Sequence, residues 1–360
     1  MAFPNQPIAH LLGSSGPVHA LAYSASPGTY VLAGSSDRSI RLYNPQPSTT
    51  SHSPSSHLSK KGINPAIPEG RLIQTYSAHG YEVLSLSVSA DNSRFASAGG
   101  DRSVFLWDVA SAQTLRRFGG GPQGHSARIN SVCFAGEDDS LLISGGLDTS
   151  VRIWDVRSGA PRPIQVLTEA KDAVTALAAH SSEIVAGSVD GRIRTYDVRT
   201  GRCITDVLGP SVTSLCLTRD GKAVLVSGLD SKLRLMDRET GGCLKTYGDP
   251  GWKNEGLRVQ SILGGKGQYV LAGDEMTGAP GRDAEGRVWV WDVLTGELKA
   301  TIRVPWGPAG LEPKKKIIGK DGKEKERTNV ISCLSWREGG YGDQFCVSGT
   351  SGVVTVYGYN

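Results

Sequence analysis

Two sets of side chains in this 360-residue chain have the composition of a hydrolytic triad: His79, Ser97 and Asp101, and then His125, Ser144 and Asp148. An imidazole held between a hydroxyl and a carboxylate can draw off the hydroxyl proton and make a nucleophile of the oxygen. The spacing argues for another use. In both sets the Asp lies four residues after the Ser, and a tryptophan, Trp107 or Trp154, follows six residues later. A catalytic constellation is needed once, whereas a trio that returns with an indole attached is a building unit, in which four buried polar groups satisfy one another. Each is therefore read as a structural tetrad: His79, Ser97, Asp101 and Trp107, then His125, Ser144, Asp148 and Trp154.

Other chemistry is thin. The run GGGPQG from Gly119 to Gly124 fits G-x-G-x-x-G, but it leads into His125 and a strand instead of opening a helix after one, which is the wrong context for a dinucleotide. No Gly-Lys pair is followed by Ser or Thr, so there is no phosphate loop, and the carboxylates are dispersed as turn residues with no isolated acid and base pair. The six cysteines (Cys133, Cys203, Cys216, Cys243, Cys333, Cys346) form no C-x-x-C pair and have no histidine at metal spacing. The expectation is a reduced intracellular protein that is not an enzyme and has no cofactor and no metal.

The elements that position the tetrads repeat. Aligned on the tetrad Asp, the units fall at Asp37, Asp101, Asp148, Asp190 and Asp230, with Glu285 and Ser351 as worn copies. Three consecutive intervals are 47, 42 and 40 residues, the period of a four-stranded WD-repeat blade, which cannot bury a core alone. Within one unit the grammar is plain: VLSLSV alternates as an inner strand, RFASAGG is the second, SVFLWDV is the third, and Asp101 sits in the turn between the last two. Seven such units predict an all-β fold, a seven-bladed WD-repeat β-propeller that takes up residues 1–360 as a single domain. The last third strand runs nearly to the C-terminus, so Ile8 to Leu12 is expected to supply the missing fourth strand and close the ring.

The longer intervals of 64, 55 and 66 residues carry inserts. Residues 45–70 hold five prolines, six serines and no aromatic residue, which predicts a disordered loop. Residues 274–284 lengthen a turn of blade 6. Residues 305–328 join blades 6 and 7, with Asp321-Gly322 reading as a hairpin turn. The formal charge of +4 is mild, and Glu312 to Arg327 supplies +3 of it. That stretch reads as a solvated loop, with contact to RNA or an acidic protein through Lys314 to Arg327 as the alternative. No window has the roughly 18 apolar residues of a membrane span, and MAFPNQPIAH lacks the regions of a signal peptide.

A binding surface is the better prospect. The residue before the tetrad Asp is apolar in three successive blades, Leu147, Val189 and Leu229, either as a docking patch or packed inward. Tyr81 and Arg128 follow the blade-opening histidines, and Trp252 occupies the histidine position in blade 6; all three are partner-binding candidates on the same face.

Ser77 to Ser111 (SAHGYEVLSLSVSADNSRFASAGGDRSVFLWDVAS), together with EAKDAVTAL and EIVAGSVDGRIRTYDVR between Glu169 and Arg199, resembles the mitogen-activated protein kinase organizer family of WD-repeat scaffolds. The likeness covers blades 1 to 5, and blades 6 and 7 depart through their inserts. The resemblance implies a non-catalytic scaffold in nucleus and cytoplasm, monomeric within a larger complex. Its expected partners are spliceosomal proteins and proteins of a MAP kinase cascade. A rival reading starts from LISGGLDTSVRIWDVR and IVAGSVDGRIRTYDVR, where Arg157 and Arg199 follow the closing Asp by two residues. That pattern resembles the motif by which substrate receptors dock on the adaptor of cullin-RING ubiquitin ligases.

Overall fold

The computed structural model describes residues 3–47, 67–275, 285–308, 316–318, 324–326, 328–337 and 342–359. Among them are seven four-stranded antiparallel sheets arranged as the blades of a β-propeller, and one separate two-stranded antiparallel sheet. The blades follow the chain, and six of them are built from four consecutive strands. In blade 2 these are Val83–Val88, Arg94–Gly99, Ser103–Asp108 and Thr114–Gly119, running from the channel to the rim.

Each blade is covered on both faces, and this decides which residues the strands contain. The second strands are almost wholly buried: Val31–Ser35, Ala223–Gly228, Tyr269–Gly273 and Phe345–Gly349 are buried at every position. Such strands read as continuous apolar runs. The outer strands, such as Cys203–Val207, expose most of their residues. The apolar side chains gather into seven clusters, one between each pair of neighbouring blades. Small residues make the close approach between blades: a Cβ at Gly145 would stand 2.5 Å from Val174 Cγ1 of the next blade, and one at Gly187 would stand 2.5 Å from Val212 Cγ1.

Blade 7 has only three strands from its own end of the chain. Gln6–Leu11 pairs antiparallel with Val354–Gly358 as the fourth, with Leu11 opposite Val354 and Gln6 opposite Gly358. Ala9 and Leu11 are buried in the cluster between blades 7 and 1. His10 lies beside Thr355, its Nδ1 3.2 Å from the hydroxyl. The closure reaches one blade further, because the Phe3 ring stands 5.0 Å from Tyr269 of blade 6 and 5.6 Å from Phe345 of blade 7.

The inner strands share a further device. In six blades the register slips just after the strand's first residue, between Val18 and Ala20, Val83 and Ser85, Ile129 and Ser131, Val174 and Ala176, Val212 and Ser214, and Ile331 and Cys333. The skipped residue is a bulge, which re-aims a side chain out of the ladder. His19, Leu84, Asn130, Thr213 and Ser332 occupy such positions and line the central channel, a cavity of about 390 Å³.

The predicted inserts need smaller bounds. Pro45 to Pro47 belong to the third strand of blade 1, Ile40–Pro47, and Gly70 starts the outer strand Gly70–Tyr76; the rest of the Ser and Pro segment lies mostly outside the described residues. In blade 6, Asp274 is fully buried and Glu275 is held by hydrogen bonds, so the expected insert begins after them, outside the described residues. Between blades 6 and 7, Lys316–Ile318 pairs antiparallel with Glu324–Glu326. Asp321 and Gly322 lie outside the described residues.

Removal of residues 1–12 takes away the closing strand and Phe3 together. The truncated chain is expected to melt about 10 °C or more below the full chain in scanning calorimetry, and an unchanged melting temperature would refute this account of closure.

Candidate functional site

In blade 2, His79 Nδ1 stands 2.5 Å from Asp101 Oδ2 and Nε2 stands 2.7 Å from Ser97 Oγ, while Trp107 Nε1 donates to the same hydroxyl at 2.8 Å. Blade 3 repeats the arrangement at 2.9, 2.7 and 2.8 Å with His125, Asp148, Ser144 and Trp154. With Nδ1–H donating to the carboxylate, Nε2 accepts the serine proton and the serine oxygen accepts the indole N–H, so every polar group is used. Ser97 and Ser144 are wholly buried, and a hydroxyl closed off in this way offers no attacking oxygen to a substrate. The aspartate does one thing more: it accepts a backbone N–H from the blade-opening turn, Gly80 N at 2.8 Å in blade 2 and Ser126 N at 3.0 Å in blade 3. Burial alone would raise Asp148, but the hydrogen bonds from His125, Ser126 and Ser150 outweigh it and hold the carboxyl far below the usual range.

Blades 1, 4 and 5 lack the histidine, keep the aspartate and change its partner. Arg41, Arg194 and Arg234 each lie four residues after the tetrad Asp and pair with it, at 2.9 Å to Asp37, 2.6 Å to Asp190 and 2.5 Å to Asp230. Asp37 and Asp190 also retain the bond from the opening turn, from Ser15 N and Lys171 N. The reading based on His, Ser and Trp missed these arginines, although Asp-x-x-x-Arg at a constant spacing was there to be found. Desolvation opposes the ionised form of Asp190, but the hydrogen bonds from Arg194 and Ser188 prevail and bring it down to about 2.

Blade 6 departs most. Trp252, expected as a surface contact, is buried: its indole N–H donates to Gly273 O at 2.7 Å and its ring lies edge-on to Trp291. It fills the cleft between blades 5 and 6, where a ring of that size gains more from removal from water than from standing on a rim. It is therefore removed from the contact candidates. The residue opposite Trp289 is Ala272, where blades 2 and 3 have Ser97 and Ser144, and the buried Trp291 N–H is left without a partner.

The remaining candidates occupy two opposite faces. Tyr81, exposed over 64% of its surface, and Leu147, exposed over 46%, stand on the face of the blade-opening turns; Arg128 is exposed there too, and Val189 and Leu229 are half-buried. The three apolar tips are fixed by one repeated bond, each donating its N–H to the carbonyl just before its own blade's inner strand: Leu147 to Arg128 O, Val189 to Ala173 O, Leu229 to Ser211 O. The apolar row over blades 3 to 5 thus lies directly beside the channel mouth. Arg157 and Arg199 are exposed at the far ends of their third strands, on the other face, and Arg157 meets Asp138 at 3.3 Å. Most of the residues from Lys314 to Arg327 lie outside the described ones.

With this geometry in hand, comparison with known proteins adds three findings. The model of the WD domain, G-beta repeat, matches residues 5–44, 70–108 and 114–155. WD repeat domain-containing protein 83 of Homo sapiens is 38% identical over 292 residues, 81% of this chain and 80% of that protein, and the same protein of Danio rerio is 37% identical over 297 residues, 82% and 81%. A homolog of it in Dictyostelium discoideum is 29% identical over 320 residues, 81% and 86%.

Two variants test the braces. Ala272→Ser supplies the hydroxyl that Trp291 lacks and is expected to stabilise the chain by about 1 kcal/mol in urea unfolding; a loss of stability would show that blade 6 has no room for the brace. Asp190→Asn should cost about 2 kcal/mol at pH 7. The depressed carboxyl contributes fully above its unfolded value of about 3.9 and loses that contribution as pH falls through the folded value. The gap between variant and parent should therefore close between pH 4 and about 2; a gap independent of pH would contradict the ion pair.

Proposed function

Because the chain belongs to the family of WD repeat domain-containing protein 83, we propose that it is a non-catalytic scaffold of the pre-mRNA splicing machinery that also organises a MAP kinase cascade, working in both nucleus and cytoplasm. The observation that carries the scaffold reading is the row of apolar tips, Leu147, Val189 and Leu229, set beside the exposed Tyr81 and Arg128 on one face of a rigid ring. The exposed Leu147 and the half-buried Val189 and Leu229 keep apolar surface in water beside one another, and such surface suits a partner. The splicing role is supported by the resemblance of blades 2 and 4 to the kinase organizer family, and by the fit of a ring with several usable faces to a large ribonucleoprotein. RNA contact through Lys314 to Arg327 is a subsidiary part of the same proposal.

A second reading, docking on the adaptor of a cullin-RING ubiquitin ligase, is favoured by one observation: Arg157 and Arg199 are both exposed and stand in adjacent blades on the same face. The two readings use opposite faces, so they separate cleanly. Tagged protein purified from nuclear and cytosolic extracts is expected to bring down splicing factors. These should fall at least tenfold in the folded variant Leu147→Asp, Val189→Asp, Leu229→Asp and persist in Arg157→Glu, Arg199→Glu. Recovery of the ligase adaptor, lost only in the arginine variant, would replace the splicing reading with the second one.

A further inference from the structure

One residue before the inner-strand start, six blades place Pro17, Glu82, Arg128, Ala173, Ser211 and Val330 at the channel mouth, and blade 6 brings Arg258 there from the loop three residues ahead of its inner strand Ser261–Gly264. Two of the seven are arginines, and they come from blades 3 and 6, on opposite sides of the ring. Arg258 reaches across the opening, and its Nη1 donates to Asn130 O of blade 3 at 2.9 Å. That bond uses one donor of a five-donor fork, and Arg128, Arg258 and His19 all line the cavity. Among the described residues no carboxylate comes within 4.0 Å of either guanidinium. The loop that delivers Arg258 is itself tied down, because the Glu275 carboxylate accepts the N–H groups of Glu255, Gly256 and Leu257 at 2.7 to 3.1 Å.

We infer that this mouth is a carboxylate-binding site, which takes one acidic side chain of a partner peptide between Arg128 and Arg258 while apolar residues of the same peptide lie on Tyr81 and Leu147. The inference rests on the scaffold reading and specifies its site. Two facing guanidinium groups repel each other, and an anion set between them turns that repulsion into two charge-assisted pairs. Burial within the channel walls, and then the charge of Arg128, push Arg258 down to about 10, still charged at neutral pH. Glu82 stands in the same ring and acts on His19. One carboxylate is accommodated beside it, whereas a chain of phosphates would meet it as a like charge, and the mild net charge gives a polyanion no extended track. A peptide with one acidic residue among apolar ones fits the mouth and its rim together.

The test pans a phage library of random twelve-residue peptides against the full chain and measures the selected peptides by fluorescence polarisation. Selected peptides are expected to share an Asp or Glu next to apolar residues. Replacing that residue by its amide should weaken binding at least tenfold, as should Arg128→Gln, which leaves the Arg258 bond to Asn130 in place. Arg258→Glu, checked for an unchanged melting temperature, should select peptides with Lys or Arg at that position. Selection of no peptide, a consensus without an acidic residue, or equal binding by parent and Arg128→Gln would overturn the inference. So would a twelve-nucleotide RNA that binds more tightly than the peptides with the same arginine dependence. If these fail while the apolar-tip variant still loses splicing factors, the docking face stands without the carboxylate site. If both fail, the face itself is wrong.

Discussion

Every blade of this ring is a sheet with two apolar faces, and none of the seven can cover either face by itself. The core is accordingly not inside any blade but between blades, in seven clusters that each take residues from two neighbours. Such an arrangement is stable only when closed, because an open end would leave one whole sheet face and one strand edge in water. Gln6–Leu11 is therefore as much a part of the core as any inner strand, although it lies at the far end of the chain from its partner Val354–Gly358. Closure explains why Phe3 is drawn onto Tyr269 and Phe345, across the seam between blades 6 and 7.

Closure leaves a second problem, which is the angle of each blade's turns. The tetrad aspartate of blades 1 to 4 solves it by accepting from the opening turn and from a side chain at once, and that of blade 5 accepts from a side chain. What completes the acceptor varies: an imidazole in blades 2 and 3, a guanidinium in blades 1, 4 and 5. The two solutions differ in where the donor enters. The histidine comes from the opening turn and passes the bond on to serine and tryptophan, whereas the arginine comes from the third strand and donates straight to the carboxylate, with Arg194 also donating to Ser188 Oγ and Arg41 to Ser14 Oγ. Blade 6 uses neither; there Asp274 accepts from Trp289, and Trp252 occupies the space by bulk.

How much of this could be read from the residue order depends on whether the information is periodic. The blade count, the strand order and the closing strand were legible, because apolar alternation and the tetrad Asp recur at nearly constant intervals. The arginine braces are equally periodic, as Asp-x-x-x-Arg, but a pattern defined by His, Ser and Trp does not contain them. Trp252 was misplaced for a different reason: its position in the alignment was right, but whether an indole there turns out or in is set by the space between two blades, which no single unit encodes. Asp274 was assigned to an insert because its burial depends on Trp289, fifteen residues on, and not on its local composition.

The channel mouth lies beyond the reach of pattern altogether. Arg128 and Arg258 are 130 residues apart and belong to units that look unrelated, yet the approaches to the inner strands of blades 3 and 6 bring both to one channel mouth. A propeller converts position within a unit into height along its axis, so residues at the same place in different blades become neighbours around a ring. The positions that the braces and the seven clusters leave unused, the turn tip and the residue before the inner strand, are free to vary without cost to the fold. Function on such a scaffold is therefore to be sought where the repeat is broken at a position that packing does not need, as it is at Leu147, Arg128 and Arg258.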